Sequence, residues 1–151
     1  MITYLKGDVT KPIGNGPRII GHICNDRGGY GKGVALAIAR RWDTSKRYFK
    51  GWYASKDGFG LGKTQFVEVE PNLWVANMVA QSGYKSGNNL VPIRYESLKV
   101  CLEELALEAE QRKASIHMPR IGTGLAGSSW DIICPIIEET LTNRLVYIYD
   151  F

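Results

Sequence analysis

The stretch PRIGTGLAGSSW, residues 119–130, sets Gly122, Gly124 and Gly127 in G-x-G-x-x-G spacing. The strand-like SIHM (115–118) precedes it and an amphipathic helical pattern begins at Trp130. Glycines at these intervals let backbone N–H groups approach a pyrophosphate at a helix N-terminus, as in dinucleotide-binding loops. The position in the chain argues against that fold. A dinucleotide-binding domain opens with this unit and continues through further βα units, whereas here one helix and one strand remain before Phe151. The loop reads as a phosphate cradle set late in a different α/β arrangement.

Working outward, strand signals occur at 1–8 (MITYLKGD), 18–25 (RIIGHICN), 64–70 (TQFVEVE), 73–79 (LWVANMV), 115–118 and 145–150 (LVYIYD). Each is short, apolar or alternating, and bounded by Gly, Pro or Asn. Helical spacing of apolar residues marks 34–42, 45–56, 94–112 and 130–143. The third pattern is the clearest, with Leu98, Cys101, Leu102 and Leu105 in one stripe and Lys99, Glu103, Glu104 and Glu108 pointing away. Pro135 falls in the early turns of the fourth, where a missing N–H does limited harm. The order β-β-α-α-β-β-α-β-α-β predicts a three-layer α/β/α sandwich with a mixed central sheet, one domain over 1–151. Gly62-Lys63-Thr64 imitates the end of a P-loop, but Asp57 stands where the first glycine belongs and a strand follows where a helix is required.

The 151 residues contain no apolar run near the roughly 20 needed to span a membrane. With no leader-like N-terminus and three dispersed cysteines, Cys24, Cys101 and Cys134, a cytoplasmic protein with reduced thiols and no membrane partner is expected. Monomer is the default for a domain of this size. A net charge of +4 favours anionic ligands, and the scatter of the basic residues favours a small one. His22 and His117 sit in apolar strands and read as core histidines, the Cys and His spacings match no zinc site, and no cofactor or metal is expected.

A second glycine loop follows the strand 18–25. Asn25 and Asp26 end that strand, and Gly28, Gly29, Gly31 and Gly33 fall within six residues before the next helix. Glycine at that density is costly in conformational entropy, which either a closely approaching ligand or a crowded turn would justify. In open α/β sheets ligands sit at the C-terminal edge of the strands, so the two loops can face one cleft, one holding phosphates and the other a sugar.

GDVT (7–10), GHICN (21–25) with the glycine loop after it, and PRIGTGLAG (119–127) before Trp130 occur in this order, and together they resemble a macrodomain over the full length of the chain. Within that superfamily the chain is similar to the branch of the terminal ADP-ribose protein glycohydrolase, in particular to bacterial stand-alone members. The resemblance implies an ADP-ribose site. Asp8, with Val9, would accept from the adenine amino group, and Tyr149 or Phe151 would flank the ring. The run Gly122, Thr123, Gly124, Leu125, Ala126 and Gly127, next to Arg120, would hold the diphosphate. The distal ribose would lie between that loop and Gly31, Lys32, Gly33 and Val34, with Gln81 nearby and Asn25 on its hydroxyls. Arg27 and Lys32 would offset ligand charge, and Trp130 would brace the phosphate loop. For several of these a plainer reading stands beside the implied one: Asp8 as a turn cap, Asn25 as a strand cap, Asp26 as a solvated loop carboxylate.

The chain departs from the glycohydrolase pattern. Ala126 takes the place of that enzyme's phosphate-loop aspartate, and its nucleophilic lysine falls at Gln81, with Lys85 four positions on. A lysyl intermediate is therefore not expected. The implied activity is hydrolysis of the ester joining the distal ribose to an Asp or Glu side chain of an ADP-ribosylated protein. Asn25 and Asp26 are the catalytic candidates, orienting a water. The competing readings are a non-catalytic ADP-ribose reader, an ADP-ribose 1″-phosphate phosphatase, and an enzyme removing ADP-ribose from nucleic acid, which would be a partner only as ADP-ribosylated substrate.

Overall fold

The computed structural model describes residues 2–151. The elements are β1 (Ile2–Lys6), β2 (Arg18–Asn25), α1 (Gly33–Arg41), α2 (Asp43–Ser55), β3 (Thr64–Glu70), β4 (Leu73–Gln81), α3 (Tyr95–Arg112), β5 (Ser115–Pro119), α4 (Trp130–Thr140) and β6 (Val146–Asp150). This is the order expected from the sequence. One six-stranded sheet runs β1-β6-β5-β2-β4-β3, parallel throughout except for β3, which pairs antiparallel with β4.

The sheet is covered on both faces. Leu98, Cys101, Leu102 and Leu105 of α3 and Ile133 and Ile137 of α4 pack on one side, while Ile38, Trp42 and Phe49 from α1 and α2 close the other. Central strands buried on two faces need near-continuous apolar sequence rather than alternation, and β4 meets this with Val75, Ala76, Met78, Val79 and Ala80 all inaccessible. The helix boundaries differ from expectation around Trp42. This residue lies between α1 and α2 instead of inside the first helix, and its indole N–H donates to Glu70 Oε2 at 2.7 Å, so α2 begins already at Asp43.

Connectivity creates an opening. From β2 the chain passes through α1 and α2 to β3 and β4 on one side, and from β5 through α4 to β6 on the other. Adjacent parallel strands whose connections leave in opposite directions form the topological switch point, the usual ligand crevice of such sheets. Here β2 and β5 pair only over Arg18–Ile20 and Ser115–His117, and β2 continues to Asn25 beside β4 alone.

Both histidines are in the core, as their strands suggest. His22 Nε2–H donates to Asn77 Oδ1 at 2.6 Å, and the Tyr30 hydroxyl, 2.6 Å from Ser45 Oγ, donates to the same oxygen at 2.8 Å. His117 lies between the Ser115 hydroxyl and the Tyr149 hydroxyl, each 2.7 Å away. Cys24 points into the core, where burial raises its thiol well above the usual range. Burial lowers His22 to about 4, and burial together with the Arg18 charge lowers His117 to about 4. Unfolded histidines protonate near pH 6.5, so between about pH 6.5 and 4 the unfolded chain binds up to two more protons than the folded one. Stability conferred by the neutral imidazoles is complete above this window and is lost as pH falls through it, with a slope approaching about 2.7 kcal/mol per pH unit. Urea unfolding at a series of pH values should show this decline, and the imidazole C2–H resonances of the folded protein should not titrate above about pH 5; titration of both near pH 6.5 would refute the assignment.

Candidate functional site

The loop from Arg120 to Ser129 closes over the C-terminal end of β5. Gly127 N–H donates to Gly124 O at 3.1 Å and Ser128 N–H to Gly122 O at 2.8 Å, curling the chain, while Ile93 N–H donates to Ala126 O at 3.1 Å and ties the curl to the segment before α3. The N–H groups of Gly122, Thr123, Gly124, Leu125 and Ala126 have no acceptor among the described residues. Consecutive free amides are followed by a helix whose cap Ser129 makes no side-chain hydrogen bond, an arrangement of the kind that suits an anion.

The three fingerprint glycines serve different purposes. Gly122 (φ 80°) has no room for a Cβ, which would stand 2.9 Å from both Ile93 and Ile133, and at Gly127 (φ 82°) a Cβ would stand 2.5 Å from the Leu90 carbonyl. At Gly124 a Cβ would meet nothing within 4 Å. The protein's own packing thus requires glycine at two of the positions and leaves the third open.

The second loop faces the first. A Cβ on Gly33 would lie 3.9 Å from Leu125 Cδ1, which brings the start of α1 against the phosphate loop, and Gly31 opens onto free space. Lys32 caps α1 without a side-chain hydrogen bond and is exposed; Val34 is half-buried in the first turn. The loop is not floppy, because Tyr30 in its middle is 2% exposed and hydrogen-bonded to Asn77 and Ser45. Gly28 lies flat on Tyr53 of α2, where a Cβ would stand 2.5 Å from the ring.

Asn25 acts as the strand cap, its Oδ1 accepting the N–H groups of Arg27 at 2.9 Å and Gly29 at 3.0 Å, which leaves Nδ2 to donate elsewhere. Asp26 is half-buried and ties the glycine loop to the β4–α3 connection, Oδ1 accepting the Gly83 N–H at 2.8 Å. Gln81 is used internally: it is 7% exposed, its Nε2 donates to Gly83 O at 3.0 Å and its carbonyl accepts the Asp26 N–H. Ala126 turns its methyl into the core between the sheet and α3 and α4.

At the far end, Asp8 Oδ1 accepts both the Thr10 hydroxyl at 2.7 Å and the Thr10 N–H at 2.9 Å, and these bonds hold its carboxyl below the ordinary range. Val9 packs into the core beside α1 and α2, so only its backbone faces outward. Of the two aromatic candidates, Tyr149 is buried, with its hydroxyl between His117 Nδ1 and the Ile13 N–H, while Phe151 is fully exposed. The Arg120 guanidinium is engaged by Asp150 through two bonds of 2.6 and 3.0 Å, and lies 5.0 and 5.2 Å from the ring centroids of Tyr4 and Trp130. Trp130 packs against Arg120 at the start of the loop and donates its indole N–H to the Tyr4 hydroxyl of β1.

The β4–α3 connection, of which the sequence reading weighed only Lys85, is a third segment at this edge. It carries Gly83 (φ 66°) and the exposed Tyr84 and Leu90, and it reaches both glycine loops through Asp26 and Ala126. The turn-rich run SGYKSGNN after an apolar strand marked it as another connection at the same sheet edge. Among the described residues no group of three His, Cys, Asp or Glu side chains is placed to hold a metal ion, and no helix is long and apolar enough to cross a membrane.

No protein-family model matches the sequence. An ADP-ribose 1″-phosphate phosphatase of Candida albicans is 27% identical over 146 residues, covering 92% of this chain and 93% of that protein. A chromodomain-helicase-DNA-binding protein 1-like of Danio rerio is 31% identical over 155 residues, 97% of this chain, which spans only 15% of that protein's length. The solved structure of a macrodomain protein from Streptomyces coelicolor superposes with a TM-score of 0.90 at 42% identity, covering 100% of this chain and 99% of that one. Identity at that level over the whole of both chains, together with the mixed six-stranded sheet and the paired glycine loops at its switch point, makes this chain a member of the macrodomain family.

Proposed function

We propose that the protein binds ADP-ribose in the β2/β5 crevice and hydrolyses the ester that joins the distal ribose to an acidic side chain of an ADP-ribosylated protein. The observation that carries this reading is the row of five unpaired amides from Gly122 to Ala126, opposed by Gly31 to Gly33. A diphosphate supplies acceptor oxygens for such a row, and the exposed Lys32 and the N-termini of α1 and α4 add positive potential. Asp8, whose Oδ2 is not used by Thr10, would accept from the adenine amino group, and Phe151 would cover the base. Asn25 Nδ2 would donate to the distal ribose.

The chemistry asked of these residues is modest. Water adds at the anomeric carbon, the bond from that carbon to the carboxyl oxygen breaks, and the water's proton passes to a substrate phosphate oxygen or to solvent. The leaving carboxylate is an anion with a conjugate acid pKa of about 4, so no strong general acid is required. Holding the ester and the water in one geometry supplies the rate. Neither Ala126, whose methyl is in the core, nor Gln81, which is tied to Gly83, offers a nucleophile, so no covalent step is invoked.

The Candida albicans relative favours a second reading, in which the group on the distal ribose is a phosphate and the products are ADP-ribose and inorganic phosphate. The two readings share the whole ADP-ribose site and differ in the leaving group. Incubation with a glutamate-ADP-ribosylated protein and, separately, with ADP-ribose 1″-phosphate separates them: release of free ADP-ribose from the protein is expected, and release only of phosphate from the small molecule would replace the first reading by the second.

The glycine geometry yields a sharper test. Gly124→Glu should leave the melting temperature near that of the wild type, because a Cβ there meets nothing, and should weaken ADP-ribose binding by at least about 100-fold by setting a carboxylate against the diphosphate. Gly127→Ala should instead destabilise the fold by about 2 kcal/mol or more, since its Cβ would press on the Leu90 carbonyl in a left-handed backbone. Calorimetric titration with ADP-ribose and thermal unfolding of both variants check the pair.

A further inference from the structure

β4 ends at Gln81 and the chain does not enter α3 until Tyr95, yet the first part of that connection is held firmly. Gly83 is gripped on both sides, its N–H by Asp26 Oδ1 at 2.8 Å and its carbonyl by Gln81 Nε2 at 3.0 Å. Asn89 Nδ2 donates to the carbonyls of Ser82 at 2.7 Å and Tyr84 at 3.1 Å. Asn89 is itself fixed by reciprocal backbone bonds with Ser86, both 3.0 Å, and by Arg94 Nη2 on its Oδ1 at 3.2 Å.

The residue held by this frame is Tyr84, which is 51% exposed and therefore gains little from burial. Its hydroxyl makes no hydrogen bond among the described residues and lies over Gly29. A Cβ built on Gly29 would stand 2.6 Å from the Tyr84 hydroxyl and 2.7 Å from Asn25 Nδ2. Gly29 does not have a positive φ, and what crowds it is not backbone but the polar tips of two side chains converging on it. One comes from the β4–α3 connection and the other from the end of β2, and both reach the same bare stretch of the glycine loop.

We propose that the Tyr84 hydroxyl, together with Asn25 Nδ2, binds the distal ribose and makes the site select ADP-ribose over ADP, an assignment that rests on the crevice being an ADP-ribose site. An amide nitrogen donates only, whereas a phenol hydroxyl donates and accepts, which suits the adjacent hydroxyls of a furanose, each a donor and an acceptor. A nucleoside diphosphate lacks that sugar and makes neither contact. Asp26, Gln81 and Asn89 are positioning residues for Tyr84. This gives Asp26 a role that needs no proton transfer.

Calorimetric titration of wild type, Tyr84→Phe and Gly29→Ala with ADP-ribose and with ADP tests the assignment. Loss of the hydroxyl in Tyr84→Phe should weaken ADP-ribose binding about tenfold and leave ADP binding unchanged. Gly29→Ala, which displaces both polar groups, should produce the same selective loss or a greater one. Wild type that prefers ADP-ribose to ADP, with Tyr84→Phe indistinguishable from it, overturns the assignment alone. Equal weakening of both ligands marks a general loop defect and overturns it too. Wild type that binds neither ligand overturns the ADP-ribose reading on which the assignment stands.

Discussion

The register of β2 against β5 is the constraint on which the site depends. Their pairing covers three residues on each strand and stops at Ile20 and His117. β2 then runs on to Asn25 beside β4 and α1, while β5 turns out at Pro119 toward α4. Two parallel strands that leave each other in opposite directions cannot satisfy the backbone beyond their last pair by sheet hydrogen bonds. The amides from Gly122 to Ala126 follow in the loop after β5, where the curl closed by the Gly127 and Ser128 bonds leaves them without acceptors.

A crevice made this way would collapse without something to hold its walls apart. On the β2 side that part is taken by Tyr30, whose ring is in the core while its neighbours Gly29 and Gly31 stay accessible. Its hydroxyl joins His22, Ser45 and Asn77, four buried polar side chains from β2, the loop, α2 and β4, and Gln65 Oε1 of β3 accepts from the Asn77 amide at 3.1 Å. A buried network is useful only when complete, and completeness here requires Tyr30 to stay in place. On the β5 side Ile93 and Ile133 fill the space that a side chain at Gly122 would need, and the Leu90 carbonyl fills that at Gly127. Both walls are thus set by packing from behind.

The element order and layers were legible because each segment carries its own periodicity: the stripe of α3 buries as its spacing implies, and the apolar runs of β2 and β4 form strands buried in the sheet. The two glycine loops were legible for the same local reason. The sequence did not show what occupies side chains within a loop. Asn25 folds back onto Arg27 and Gly29, the strand cap that stood beside its ribose role, but Asp26, read as a water-orienting or solvated carboxylate, crosses to Gly83, 57 residues away. Arg120 looked available beside the phosphate loop, but Asp150 lies one β strand over and takes it. Long-range partners of this kind depend on sheet order, which no window of sequence contains.

The fingerprint match itself has a physical explanation. In a strand-loop-helix unit at the C-terminal edge of a parallel sheet, the chain must reverse within a few residues while presenting amides to the ligand, and left-handed glycines at the two ends of the curl accomplish that. Gly122 and Gly127, at φ 80° and 82°, are those ends. Gly124 lies between them in open space, where nothing in the protein excludes a side chain. The spacing shared with dinucleotide-binding loops therefore follows from the geometry of turning a strand into a helix while leaving a run of amides free. This fold reaches that geometry through its last βαβ unit, so the spacing implies no shared place in the chain.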